Sequence, residues 1–219
     1  MIATVFALEF ESAGFRSLQG RRLCASVWTL GVTGERSGAV LRRLIEKTRP
    51  EVIVSAGFSG ALQPDLALGT IVIGENFSDP RILRTFRNLT GFRTGSILTV
   101  PDILETSAVK RSLGKTSGAL AVDLESAHLC QACCEAGVPM VSVRTISDTL
   151  DQDVPLPGNV LINSRTGRCD PAAIFTYLFQ HPGKAAQFAK LVSSARLAQQ
   201  SLANALASIL PLMLKQQFP

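Results

Sequence analysis

Residues 121–151 read AVDLESAHLCQACCEAGVPMVSVRTISDTLD. The run GALAV (118–122) is short, apolar and rich in strand formers. Residues 124–136 then take helical spacing and stop at Gly137, a residue suited to the left-handed turn that closes a helix. PMVSVRTIS (139–147) is again a strand. The unit looks made for burial, yet acids stand at both its ends. Asp123 and Glu125 follow the first strand; Arg144, Ser147 and Asp148 close the second.

The same alternation extends outward. Toward the N-terminus, IATVFAL (2–8) and LCASVWTL (23–30) read as strands and GVTG (31–34) as a turn. Residues 35–48 have helical spacing, with Val40, Leu41, Leu44 and Ile45 on one stripe, and Pro50 ends that helix. EVIVSAG (51–57) is a strand, GFSGALQPDLALG (57–69) a glycine-punctuated loop and TIVIG (70–74) a further strand. Residues 75–96 are polar and carry no clear period; SILTV (96–100) reads as a strand and 103–114 as a helix. Beyond Asp148, the proline- and glycine-rich stretch 149–170 reads as a long loop, followed by helices at 171–180 and 184–210. Strands alternating with helices throughout indicate an α/β domain with a mostly parallel or mixed sheet.

Composition bounds the function. The 219 residues suit one domain, 1–219, and 46% hydrophobic residues allow a large core. The net charge of +5 is scattered over groups such as Arg21-Arg22, Arg42-Arg43, Arg81/Arg84/Arg87 and Lys110-Arg111, read as solvated faces. With one Trp and one Tyr, stacking platforms are scarce, so no nucleic-acid partner is expected. Cys24, Cys130, Cys133, Cys134 and Cys169 are irregularly spaced and odd in number. MIATVFALEF is too short and too acidic for a signal peptide. Free thiols in a reducing cytoplasm follow, with Cys130, Cys133 and Cys134 packing as small hydrophobes on one helix face. His128 and His181 complete no metal-ligand pattern, and no apolar run reaches the length of a membrane span. No Gly-x-Gly-x-x-Gly follows the first strand, which disfavours a dinucleotide-binding oxidoreductase.

In open α/β sheets ligands bind outside the carboxyl ends of strands. Here those ends carry Glu9 and Glu11, the Gly57–Gly60 stretch, Glu125, and Asp148. Each has a structural explanation by itself. Glu125 in a first helical turn gains about 0.3–1 kcal/mol from the helix dipole. Asp148 with Ser147 can cap a turn, Arg144 can neutralise an acid, and the glycines can serve turns. Four strand ends delivering acids and a glycine-rich backbone toward one cleft point instead to a site.

Two stretches, VSAGFSGALQPDLALGTIVIG and AVDLESAHLCQACCEAGVPMVSVRTISD, resemble the signature regions of the purine nucleoside phosphorylase / methylthioadenosine–adenosylhomocysteine nucleosidase superfamily. ALEFE (7–11) is similar to the nucleosidases' glutamate-bearing first-strand end. The resemblance covers roughly residues 1–75 and 95–150 and implies a single three-layer α/β domain with a central mixed sheet flanked by helices. SAVKRSLGKTSGALAVDLES and HPGKAAQFAKLVSSARLAQQSLANAL look like the hopanoid-associated branch, thought to cleave adenine from adenosylhopane.

What the resemblance implies can be carried over by residue. Glu125 would accept the ribose 2′- and 3′-hydroxyls, and Leu124, where the family often has Met, would pack under the sugar. Asp148 would protonate the purine toward N7, oriented by Ser147, since adenine leaves poorly until protonated. Glu11 would position the attacking water; Arg144 and Asp123 would support. Ser59 and Gly60 would offer N–H groups. The family's base-stacking aromatic, expected near 102–105, is absent, leaving Leu104, with Phe58 or Phe77 as substitutes; Phe10 would line the site or a dimer surface.

The resemblance implies cleavage of a purine nucleoside's N-glycosidic bond through an oxocarbenium-like transition state, with no cofactor. Phosphorolysis would need an anion site. The family's anion-binding positions appear here as Ser55 and Phe58, while Glu11 would repel phosphate, so water is the expected nucleophile. Arg36 is the best residue on which a phosphate reading could rest; Arg16, Arg42 and Arg43 lie outside matching motifs. A phosphate-dependent phosphorylase is the alternative, with phosphate as co-substrate, and a non-catalytic nucleoside-binding module the alternative of another class. A homodimer or higher homo-oligomer is expected. In the tail ASILPLMLKQQFP, Pro211 is expected to break the helix and leave Leu212, Met213 and Leu214 docking on the domain or a second copy, ahead of touching a membrane.

Overall fold

The computed structural model describes residues 1–19, 25–31, 34–86, 90–163 and 169–214. In chain order the strands are β1 (Ile2–Phe6), β2 (Ala25–Thr29), β3 (Val52–Ala61), β4 (Ile71–Gly74), β5 (Phe92–Gly95), β6 (Ile97–Thr99), β7 (Ala121–Asp123) and β8 (Met140–Asp148). The helices are α1 (Glu9–Gln19), α2 (Glu35–Thr48), α3 (Pro80–Phe86), α4 (Ser107–Ser117), α5 (Ser126–Glu135), α6 (Gly158–Leu161), α7 (Pro171–Gln180) and α8 (Ala185–Leu214).

Period-two alternation builds the layers. On β1 and β3, Phe6, Val52, Val54 and Ala56 face one way and pack with Phe15 of α1 and Leu202, Leu206, Ile209 and Met213 of α8. Ala3, Val5 and Ile53 face the other way, against Leu41 and Ile45 of α2 and Leu129 and Cys133 of α5. The sheet between is mixed, in the order β2-β1-β3-β8-β4-β5, with β4 antiparallel to β8. This is the expected three-layer arrangement.

One feature of the sheet makes the site. β1 pairs in parallel with Val52–Ser55 at the start of β3. Farther along, Gly60 and Ala61 pair antiparallel with Val122 and Ala121 of β7 while Gly60 also faces Asp148 on β8. The edge of β3 opposite β8 is therefore shared: β1 holds its first half and β7 its end. β1 and β7 run toward each other along that edge, and their chain ends, carrying Glu11 and Glu125, meet beside Phe58.

The structure corrects several expectations. Residues 9–19 form a helix, α1, which the reading of 7–11 as a strand end left out; Gly14, costly inside a helix, sits where α1 crosses α8, against Gln199. The stretch 57–69 is not all loop, because the ladder with β8 and β7 carries β3 on to Ala61. Residues 75–96 hold a 3-10 turn (Glu75–Phe77), α3 and β5. Pro211 does not break α8: it falls in the last turn, where one N–H is lost, and fully buried Met213 anchors that turn on the core. Residues 182–214 are long and apolar enough to cross a membrane, but α8 spends its apolar face on the sheet. Cys24, Arg21, Arg22, Arg87 and the centre of the GVTG turn lie outside the described residues.

Candidate active site

Glu11, on the first turn of α1, is buried with its carboxylate wedged between backbone donors. Leu8 N donates to Oε2 at 3.0 Å and Phe58 N to Oε1 at 2.8 Å. Gly57 makes this possible, since a Cβ there would stand 3.0 Å from Glu11 Oε1. Burial pushes the Glu11 carboxyl above its ordinary value, and the N–H groups of Phe58 and Leu8 oppose the rise. Glu9, grouped with Glu11 in the sequence, points away: it is exposed, 3.9 Å from Arg16.

Asp123 and Glu125 leave the end of β7. Asp123 is tied on every side, accepting from Thr99 Oγ1 at 2.8 Å, from Ser126 N and from Arg144 Nε at 2.7 Å. Arg144 is fully buried and also donates to Ser55 O at 2.9 Å, Ser55 Oγ at 3.1 Å and Ser126 Oγ at 2.9 Å. It thus lies beneath the cavity and braces Asp123. Among the described residues no cation pairs with Glu125; the charge of Arg144 and the Gly34 N–H only partly offset its burial. Burial foremost, then the charges of Asp123 and Glu11, push its carboxyl up to about 8.

Asp148 comes from the end of β8. Opposite Ser59 and Gly60, β8 carries one extra residue, Ser147, a bulge of the kind that re-aims a side chain. Ser147 Oγ donates to Asp148 Oδ1 at 2.8 Å. A Cβ on Gly60 would fall 2.9 Å from Asp148 Oδ2, so Gly60 admits the carboxylate.

These parts surround one cavity of about 270 Å³, near the lower end of small-ligand sites, roughly 300–1,000 Å³. Its walls include Glu11, Phe58, Ser59, Gly60, Leu104, Asp123, Leu124, Glu125, Ser147 and Asp148. The two acids read as catalytic, the residues read as binding the substrate and Asp123 all line it; Arg144 does not. Phe10 also lines it and meets Phe58 edge-on, ring centroids 6.1 Å apart. Phe77 does not; it packs in the core beside another hollow.

Sequence reasoning missed Lys110. It was grouped with Arg111 on a solvated face, yet it is buried on the cavity wall with its ammonium on Asp148. The signal was present: in α4, Lys110 shares a helical stripe with Leu113 and Gly114, which face inward. Also missed were Ile103, Val154, Leu161, Ile162, Cys169 and Leu191, which line the cavity's apolar part. The cysteine stripe is only partly buried: Cys133 is inside, Cys130 intermediate and Cys134 exposed. Among the described residues no His, Cys, Asp or Glu cluster is arranged to hold a metal ion.

The cavity is a poor host for phosphate. Four carboxylates line it besides Asp102, and among the described residues Lys110 is its one cationic wall. The Phe58 N–H, which an anion would need, already serves Glu11. Arg16 is held by Ser12 and Thr29, and Arg42 by Glu135; Arg36 and Arg43 do not line the cavity.

A sequence model of the Phosphorylase superfamily matches residues 76–179. The 5′-methylthioadenosine/S-adenosylhomocysteine nucleosidase of Exiguobacterium sp. is 23% identical over 145 residues, 52% of this chain and 62% of the relative. The aligned part thus spans about three fifths of that relative's length. Two solved structures from Helicobacter pylori superpose on 96% of this chain and 97% of their own. They are a futalosine hydrolase and a 5′-methylthioadenosine/S-adenosyl homocysteine nucleosidase, each with TM-score 0.69 and 14% identity, which speaks to the fold. The resemblance to the superfamily read from the sequence is thereby shown, and the fold is nucleoside phosphorylase-like.

Proposed function

We propose that this phosphorylase-superfamily fold serves a nucleosidase that hydrolyses the N-glycosidic bond of a 5′-substituted adenine nucleoside. The observation that carries the reading is the meeting of Glu11, Glu125 and Asp148 on one largely apolar cavity. Glu125, poorly neutralised, is suited to take both ribose hydroxyls and to stabilise the sugar as it becomes cationic. Asp148, held by Ser147, delivers a proton toward N7 so that adenine departs as a neutral base. Glu11 accepts the proton of the water that attacks C1′. The acids that favour a cationic sugar also repel phosphate, which supports water as the nucleophile.

The finer parts belong to the same proposal. Ile103, Leu161, Ile162 and Leu191 give the cavity an apolar end that suits a 5′-methylthio, thioether or hydrocarbon substituent, adenosylhopane among them. A cytoplasmic homodimer that takes a small nucleoside, with no cofactor and no nucleic-acid partner, completes it.

The test is release of free adenine, with and without phosphate, from methylthioadenosine, adenosylhomocysteine, adenosine, inosine and a 5′-alkyl lipid analogue. Release without phosphate is expected. Asp148→Asn should lower turnover about 100- to 10,000-fold while nucleoside binding persists. A strict phosphate requirement would make the enzyme a phosphorylase, and binding without turnover would make it a nucleoside-binding module.

A further inference from the structure

Lys110 is 1% exposed, lines the cavity and has no part in the chemistry above. Its ammonium donates to Asp148 Oδ2, to Thr149 O at 3.1 Å and to Gln152 O at 2.8 Å, so its three hydrogens are all used. Asp148 therefore accepts on both oxygens, from Lys110 on Oδ2 and from Ser147 on Oδ1. In this arrangement both Asp148 oxygens accept and neither is placed to donate. The proton destined for the purine starts elsewhere, and the hydrogen nearest Asp148 Oδ2 is on Lys110.

We infer that Lys110 is the positioning residue that stores the leaving-group proton and loads it onto Asp148. This rests on the nucleosidase reading. As the C1′–N9 bond breaks, its electron pair passes into the purine. N7 gains a proton from Asp148, Asp148 regains one from Lys110 Nζ, and Lys110 is left as a neutral amine. Water adds to C1′ and gives its proton to Glu11. After the products leave, that proton returns by way of the cavity and Asp148, restoring the ammonium.

Other charged groups near Lys110 are otherwise occupied. Asp153 accepts from Ser107 N at 2.7 Å, and Arg111, the next residue on α4, is paired with Asp151. Glu11, Asp102, Asp123 and Glu125 line the same cavity, with Asp123 held by Arg144. Asp148 is the acid in contact with the ammonium.

The test compares two substrates. One is a 5′-substituted adenosine; the other is a riboside of 4-nitrophenol, which leaves without a proton. Lys110→Met is expected to lose roughly 100-fold or more in turnover on the first and less than about threefold on the second. Lys110→Arg keeps the charge but holds its proton too tightly to pass it on, and should show the same substrate split even if the Met variant fails to fold. Equal losses on both substrates, or an Arg variant with wild-type turnover on the adenosine, would overturn the inference. If the unaltered protein releases no adenine at all, the nucleosidase reading itself fails.

Discussion

At the scale of the residue, the site turns on how differently its carboxylates are compensated. Asp123 has Arg144, Thr99 and a backbone N–H; Glu11 has two backbone N–H groups; Glu125 has the Gly34 N–H and the more distant charge of Arg144 against its burial and two neighbouring negative charges. If ionised Glu125 is what binds the sugar, kcat/KM should climb as pH rises toward about 8, the value to which its carboxyl is pushed. Glu125→Gln should abolish that limb and lower kcat/KM about 100- to 1,000-fold. A profile flat between neutrality and pH 8 in the unaltered enzyme would show that another group holds the sugar. Arg144 gives the complementary case. Removing it leaves Asp123 buried without its counter-ion, so Arg144→Met should cost about 3–5 kcal/mol, read by denaturant unfolding, even though Arg144 does not line the cavity.

At the scale of the element, α4 carries Lys110, and it lies close against the chain at Leu62. A Cβ on Gly114 would fall 2.2 Å from Leu62 O, a backbone atom that cannot swing aside. Gly114→Ala should push α4 outward, destabilise by about 1–3 kcal/mol and part Lys110 from Asp148. The expected readout is a Lys110→Met-like loss on the adenosine substrate at temperatures where the variant is still folded; a purely thermal defect with wild-type turnover would separate α4's packing from its chemistry. The sequence could not have shown this. Strand-end acids were legible because strands announce their ends by a break in alternation, and Glu125 and Asp148 stand at such breaks. Lys110 stands inside a helix, where a basic residue defaults to solvent, and only the inward stripe with Leu113 and Gly114 marks it. The extent of β3 was hidden for a related reason: Gly57 and Gly60 look like turn residues, but they keep the strand bare where Glu11 and Asp148 lean on it.

At the scale of the whole molecule, the sheet is what brings distant parts of the chain together. β1 and β7 share one edge of β3, so Glu11 and Glu125, more than a hundred residues apart, come to face the same strand. Alternating strands and helices made the layers readable, but a shared edge follows from pairing partners, which one sequence does not disclose. The arrangement carries a stability cost with a definite sign. Glu11 and Glu125 both have folded-state values raised above the ordinary 4.5, so each favours the folded state while protonated. That contribution is fully present below about pH 4.5 and, for Glu125, is lost as pH rises through about 8. The empty protein should therefore lose stability over this window, on the order of a few kcal/mol. Glu125→Gln has no proton to lose there, so its melting temperature relative to the parent should rise with pH from about 4.5 to about 8 and level off above. A difference that stays constant across the window would mean that Glu125 does not hold its proton up to about pH 8 in the folded protein. A nucleoside analogue with a cationic sugar mimic should reverse the effect, stabilising the parent most at alkaline pH, where Glu125 is ionised and free to receive it.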